Sequence, residues 1–422
     1  MAAHNAFYGQ SGGVTSVINA SAAGVIQTAR QHKDKIANVY VGKDGIIGAL
    51  TENLIDTSQE SDADIEALKH TPSGAFGSCR YKLKSLQEHK VEYERLIEVF
   101  KAHNIRYFFY NGGGDSQDTA HKVSELSETM GYPVTCIGVP KTIDNDLPFT
   151  DCSPGFSSVA KYVAVSILEA SLDVASMCSS STKVFVMEVM GRHAGWIAGA
   201  AGLAKNENDL GPDIILFPEI EFNQQAFLDE VNATVQRKGF CCVVVSEGVK
   251  KPDGTFLSDS GIRDAFGHAQ LGGVAPVVVD VIKQALNLKC HWAVCDYLQR
   301  SARHIAAKVD VEQAYELGKA AVEFAINGEN AIMPIVVRTN DNPYQWTIGK
   351  APLAEVANVE EMMPAHYISD NGFFITDACR TYMQPLIEGE DFPPFKNGLP
   401  DYVKLKKHMV PKLTGTEFKI ST

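Results

Sequence analysis

"RYFFYNGGGDSQD", residues 106–118, joins an apolar run to three glycines, a carboxylate and a polar stretch. The run is aromatic and apolar on both faces, which predicts a strand buried inside a helix-covered sheet. Glycines at the C-terminal end of such a strand strip side chains from the turn into the next helix, predicted over 116–130, and leave room for a ligand against the backbone. A phosphate is the usual occupant of such a place. Asp115 puts a negative charge there instead, and this charge needs a chemical reason.

The same alternation of short apolar runs and longer helical patterns extends outward from this stretch. Strands are predicted at 6–9, 38–42, 106–110, 133–139, 183–189, 213–217, 240–246 and 291–298, and helices at 16–32, 92–103, 116–130, 156–176, 223–238 and 310–327. The pattern predicts an α/β chain with mainly parallel, helix-covered sheets. A chain of 422 residues is long for one simple core. The turn-rich "LPFTDCSPGFSS" (147–158) divides it into a lobe 1–155 and a lobe 156–300 carrying an insertion near 248–290. Residues 301–422 are expected as helices and a Pro-rich tail returning over the lobes.

Apolar residues at 45% and charged residues at 21% fit a soluble globular protein, and no run is long enough to span a membrane. The start "MAAHNAFYGQSGG" shows no basic segment followed by an apolar one, so the cytoplasm is the expected compartment. Nine cysteines without a CxxC pair read as free, buried thiols. A formal charge of -13 disfavours nucleic acid and anionic membranes as partners, while leaving room for anionic substrates at a locally positive site.

Ligands of open parallel sheets lie beyond the C-terminal ends of the strands, and four such loops are unusual. The first is "GQSGGVTSVIN", where Gly12-Gly13 leads into a helix N-terminus suited to an anion. The glycine-rich stretch above is the second. The third, "VPKTIDND" (139–146), brings Lys141 as a counter-charge close to Asp144 as a base. The fourth, "MEVMGRHAGW", carries Gly191-Arg192 and is joined by the strand end "DYLQRSAR", whose Arg300 and Arg303 offer guanidinium groups to a sugar phosphate.

Together these segments resemble the phosphofructokinase family, most closely its pyrophosphate-dependent branch. The resemblance is carried by "SGGVTSVIN", "GAFGSCR" (74–80), "GGGDS" (112–116), "PKTIDND" (140–146), "EVMGRHAG" (188–195), "SEG" (246–248) and "YLQR" (297–300). It implies two Rossmann-like lobes with the active site in the cleft between them, 1–155 binding the phosphoryl donor and 156–300 the sugar phosphate, with fructose 6-phosphate phosphorylated on its 1-hydroxyl. Asp144 matches the general base, with Lys141 and Asp115 as the other catalytic positions. Thr142, Ile143, Met190, Gly191, Arg192, Glu247, Tyr297, Leu298, Gln299 and Arg300 match sugar-phosphate contacts. Gly12, Gly13, Arg80 and Lys141 match the diphosphate site. Lys183 stands where the family commonly has an arginine reaching a neighbouring subunit's substrate, which implies a homodimer or homotetramer.

Relatives that use ATP have glycines at the positions of Asp115 and Lys141. The Asp115 carboxylate would project where the α-phosphate of ATP has to lie, at a cost of roughly 4 kcal/mol for charges about 4 Å apart in an effective dielectric near 20, or about three decades of affinity. Lys141 is expected to neutralise Asp115 and to stabilise the transferring phosphoryl group. The resemblance implies Mg2+ as the cofactor, yet Gly114 occupies the usual position of the metal-associated aspartate, leaving Asp115, Asp144 or Asp146 to anchor it. The expected activity is reversible transfer from pyrophosphate to fructose 6-phosphate, with an ATP-dependent kinase or a sugar-phosphate-binding regulatory subunit as alternatives.

Overall fold

The computed structural model describes residues 3–85, 87–258, 273–415 and 417–420. The part of the expected insertion at 259–272 lies outside the described residues. The first half of the chain builds strands β1 (His4–Gln10), β2 (Ile36–Gly42), β3 (Leu54–Asp56), β4 (Ile105–Gly112) and β5 (Thr135–Pro140). The second lobe contributes β6 (Val184–Val189), β7 (Ile214–Leu216), β8 (Cys241–Ser246) and β9 (Cys290–Val294), after which β10 (Ile332–Asp341) and β11 (Tyr344–Pro352) return to the first. The seven-stranded sheet runs β11-β10-β5-β4-β1-β2-β3 and the four-stranded sheet β7-β8-β6-β9. All pairings in the smaller sheet are parallel, and only β10–β11 and β2–β3 are antiparallel in the larger one.

Both faces of the larger sheet are dry at its central strands β1, β4 and β5, which is why these read as continuous apolar runs. Phe7, Phe108 and Tyr110 pack on one side, and Ala6, Tyr8 and Phe109 on the other. The covering helices are α1 (Ile18–Gln31), α2 (Lys90–Ala102), α3 (Gly114–Thr129), α4 (Phe156–Met177), α5 (Gln224–Lys238), α6 (Val274–Leu286) and α7 (Lys308–Ile326). Small residues let α7 lie directly on α1: a Cβ on Gly24 or on Gly318 would fall 2.2 Å from a backbone oxygen of the other helix. Helix α6 and strands β10 and β11 lacked a clear sequence signal. The run "HWAVCDYL" is a strand only as far as Val294, because Asp296–Ser301 turns into a short helix that presents its polar residues at the strand end.

Arg303, expected beside Arg300 as a phosphate ligand, is a structural residue. Its fully buried guanidinium bonds the Lys69 carbonyl at 3.0 Å and the Asp391 carboxylate at 2.6 Å, tying the tail to the first lobe. A second buried charge fastens the C-terminal end. Glu52 accepts hydrogen bonds from the Leu413 N–H at 2.5 Å, the Thr414 hydroxyl at 2.5 Å and His103 Nε2 at 2.7 Å. Burial alone would push this carboxyl up, but those bonds outweigh it and hold it at about 2, below its ordinary 4.5.

Because the folded value lies below the unfolded one, the stabilisation is complete above about pH 4.5 and is lost as pH falls toward 2. Glu52→Gln is expected to lower stability by about 2–3 kcal/mol at pH 7, seen in thermal unfolding, with the gap to the parent closing on acidification. A gap independent of pH between 7 and 3 would show that the charge is not what fastens the tail.

Candidate active site

The first three sequence-predicted loops converge where β1, β4 and β5 end, as parallel packing of those strands requires. Helix α3 starts at Gly114 without a side-chain cap, so its first N–H groups face the same space as Gly12-Gly13. Lys141, 5% exposed, donates from Nζ to the Gly13 carbonyl at 2.5 Å. A Cβ on Gly13 would lie 2.7 Å from Arg300 Nη1 and 3.6 Å from Arg80 Nη2, so the first lobe's loop and two arginines, one from each lobe, meet at this glycine. Burial first, then Arg300, lowers Lys141 to about 8, with Asp144 and Asp146 acting in the opposite sense.

Asp115 does not pair with Lys141. Its carboxylate lies 2.5 Å from Lys82 Nζ, with both side chains partly exposed at 49% and 34%. Lys82 carried no sequence signal, since it falls just beyond "GAFGSCR" in an irregular segment. At the first turn of α3 the Asp115 charge is also favoured by the helix dipole.

Asp144 sits deeper. Burial, then the carboxylates of Asp146 and Glu247, push it up to about 8, while Lys141 and Arg192 pull it down. Its loop is locally fixed: Asp144 N–H bonds Thr142 Oγ1 at 3.0 Å, Thr142 N–H bonds the Pro154 carbonyl at 3.2 Å, and Ile143 is buried. Asp146 is raised too, by burial foremost.

From the second lobe, Gly191 adopts φ +121°, and a Cβ there would meet the Ala194 carbonyl at 2.8 Å, so the turn after β6 accepts only glycine. Ser246 donates its hydroxyl to the Gly191 carbonyl, and Glu247 N–H bonds the Val189 carbonyl at 2.9 Å, which places Glu247 beside Arg192. Arg192 Nε is buried and lacks a partner in the described residues. Gln299 is used internally: Oε1 accepts the Met190 N–H at 3.3 Å and Nε2 donates to the Asp296 carbonyl at 3.0 Å. Tyr297 and Leu298 are exposed at the rim, Tyr297 stacking under the Arg300 guanidinium at 3.9 Å.

Lys183 is not gathered with these residues. It precedes β6, so the strand's length separates it from Met190 and Arg192, and its Nζ bonds the Cys178 carbonyl. Among the described residues no three His, Cys, Asp or Glu side chains converge as a protein-only metal cage.

The phosphofructokinase family model matches residues 5–325. A protein of Halomonas elongata named pyrophosphate–fructose 6-phosphate 1-phosphotransferase is 64% identical over 420 residues, spanning 100% of both chains. One of Methylococcus capsulatus with the same name is 63% identical over 420 residues, again spanning 100% of both. The crystal structure of a pyrophosphate-dependent phosphofructokinase from Marinobacter aquaeolei, 62% identical, covers 99% of this chain and 100% of its own with a TM-score of 0.91. The chain belongs to the phosphofructokinase family.

Proposed function

We propose that this enzyme moves a phosphoryl group from pyrophosphate to the 1-hydroxyl of fructose 6-phosphate, giving fructose 1,6-bisphosphate and phosphate, and that it works in both directions in glycolysis and gluconeogenesis. The observation that carries this reading is the convergence of Arg80, Lys141 and Arg300 on the backbone of Gly12-Gly13, next to a part-buried Asp144, with Asp115 in the first turn of α3. Three cations in a chain of charge -13 make a pocket for a compact polyanion. The relatives named for this activity, at 63–64% identity over full length, support the same reading.

Asp144 takes the proton of the attacking hydroxyl. Burial and the carboxylates of Asp146 and Glu247 raise the basicity of this oxygen above that of an ordinary aspartate, and a bound divalent cation would keep it in the carboxylate form that can accept a proton. Lys141 and Arg80 hold the diphosphate against Gly12 and Gly13. Arg192, with a buried Nε awaiting an acceptor, and Arg300 hold the sugar phosphate, while Glu247, Thr142, Met190 and Gly191 shape the sugar pocket and Tyr297 and Leu298 its rim. Lys183 serves the site of a neighbouring copy. An oligomer also suits β9, an edge strand on which His291, Trp292 and Val294 are all exposed.

A divalent cation, magnesium, fits the donor set. The Asp146 carboxylate raises the pKa of Asp144, and that surplus of negative charge is what a cation relieves. A Cβ on Gly114 would meet nothing within 4 Å, so the space of the missing aspartate is open to a water-ligated ion. Asp144 and Asp146 would hold the ion, which supplies neutralisation of the phosphoryl oxygens. The described residues include no helix long and apolar enough to cross a membrane, and we assign the enzyme to the cytoplasm.

Donor choice rests on Asp115. Half exposed and paired with Lys82, its repulsion of a nucleotide phosphate falls between the values for dielectrics of about 80 and 20, or about 1–4 kcal/mol. Asp115→Gly is therefore expected to shift the ratio of kcat/KM for pyrophosphate over ATP toward ATP by about one to three decades, in parallel steady-state assays. An unchanged ratio would remove Asp115 from donor selection. Asp144→Asn should lower kcat about 10²–10⁴-fold while calorimetry still detects fructose 6-phosphate binding. Light scattering should give a mass at least twice that of the chain, and Lys183→Met should raise the KM for the sugar phosphate; a monomer at assay concentration would contradict the shared site.

A further inference from the structure

Beyond residue 351 the chain carries none of the family motifs, yet it is bonded to the back of the loop that bears Asp144. Asn145, between two acidic neighbours, has a left-handed backbone with φ +53°. Both ends of its side chain are used. Oδ1 accepts from the Ser153 N–H at 2.9 Å and Nδ2 donates to the Tyr382 hydroxyl at 3.2 Å. The Tyr382 hydroxyl in turn donates to the Asp151 carbonyl, so it bridges both ends of the 145–151 turn.

Tyr382 is itself held from three sides. It lies on the helix Asp377–Met383, and its carbonyl accepts from Arg338 Nη2 at 3.0 Å. Arg338, on β10, pairs through Nε with the Asp151 carboxylate at 2.8 Å, whose other oxygen accepts the Tyr344 hydroxyl of β11 at 3.0 Å. The Tyr382 ring stacks on Tyr367 at 5.6 Å and leans on Trp196 of the second lobe at 5.6 Å. The same region reaches Asp146, whose carbonyl accepts the Glu361 N–H at 2.8 Å.

A left-handed residue between two functional carboxylates sets the direction in which each points, and leaving that conformation would turn Asp144 away from the reacting hydroxyl. We infer that Tyr382 is a positioning residue for phosphoryl transfer: its hydroxyl holds the Asn145 side chain, and through the left-handed Asn145 it fixes the Asp144 carboxylate. The inference rests on the reading that Asp144 takes the substrate proton.

The test uses the full chain and the forward reaction with pyrophosphate, magnesium and fructose 6-phosphate. Tyr382→Phe keeps the stacked ring and loses only the hydroxyl, and is expected to lower kcat about tenfold, with both KM values within about twofold and the melting temperature nearly unchanged. Asn145→Gly keeps access to positive φ without the amide, and should lower kcat similarly. The double variant should be no slower than the worse single one, as for two groups acting along one route. A Tyr382→Phe enzyme with parental kcat overturns the inference, and so do multiplicative losses in the double variant. A fall in melting temperature with unchanged kcat per folded molecule assigns Tyr382 a structural role only and overturns it too. Absence of turnover in the parent enzyme is a separate result that defeats the functional reading itself.

Discussion

The site depends on a lysine that has been taken out of water without being given a carboxylate of its own. Lys141 ends on the carbonyl of Gly13, with the charges of Arg300 and Arg80 opposing its own and those of Asp144 and Asp146 favouring it. A direct salt bridge would satisfy the charge and spend it. Held instead by one carbonyl between opposed groups, the ammonium is lowered to about 8, and an arriving pyrophosphate adds negative charge that favours its protonated form. In the proposed reaction this is preorganisation in the sense that matters for transfer: the charge is in place before the phosphoryl group moves.

Keeping such groups apart by fractions of an ångström requires rigid surroundings, and the chain supplies them by returning to its own beginning. After the second lobe is complete, α7 packs on α1, and β10 and β11 extend the first sheet beyond β5. The strand carrying the Lys141 loop is therefore an interior strand with partners on both sides. The segment that follows fastens itself at buried charges, Arg303 with Asp391 and Glu52 with Leu413 and Thr414, and on the way passes Tyr382 behind Asn145. Burying those charges is tolerable only because each is fully hydrogen-bonded, and removing one partner would leave the other stranded.

Much of this was legible in the sequence because it follows from short-range rules. The period of the strands, the glycines at their ends and the polar cluster "PKTIDND" locate three loops that do converge, and buried strands such as "KVFVMEV" and "FCCVVVS" appear as apolar runs because both faces are covered. What failed was long-range pairing. Arg303 and Arg300 look alike three residues apart, but the short helix Asp296–Ser301 points one at Gly13 and leaves the other against Lys69 and Asp391. Strands β10 and β11 read weakly because β11 and the end of β10 are partly exposed and their alternation is diluted by polar residues. No local pattern announces that Tyr382 meets Asn145, since nothing in either segment depends on the other until the fold is complete.

Asp115 shows the same lesson at the rim. Read in sequence, its charge invited Lys141 as partner because both depart together from the ATP-dependent pattern. In space the two are answers to different requirements. Lys141 is buried against the Gly13 carbonyl, which suits its proposed role on the transferring group, whereas Asp115, proposed to exclude nucleotide, stands half exposed beside Lys82. A buried, unpaired Asp115 would repel pyrophosphate as strongly as ATP and select nothing. Partial exposure and the Lys82 ammonium keep its repulsion to about 1–4 kcal/mol, which in the proposed site is small enough to leave a compact diphosphate bound and large enough to count against a longer donor.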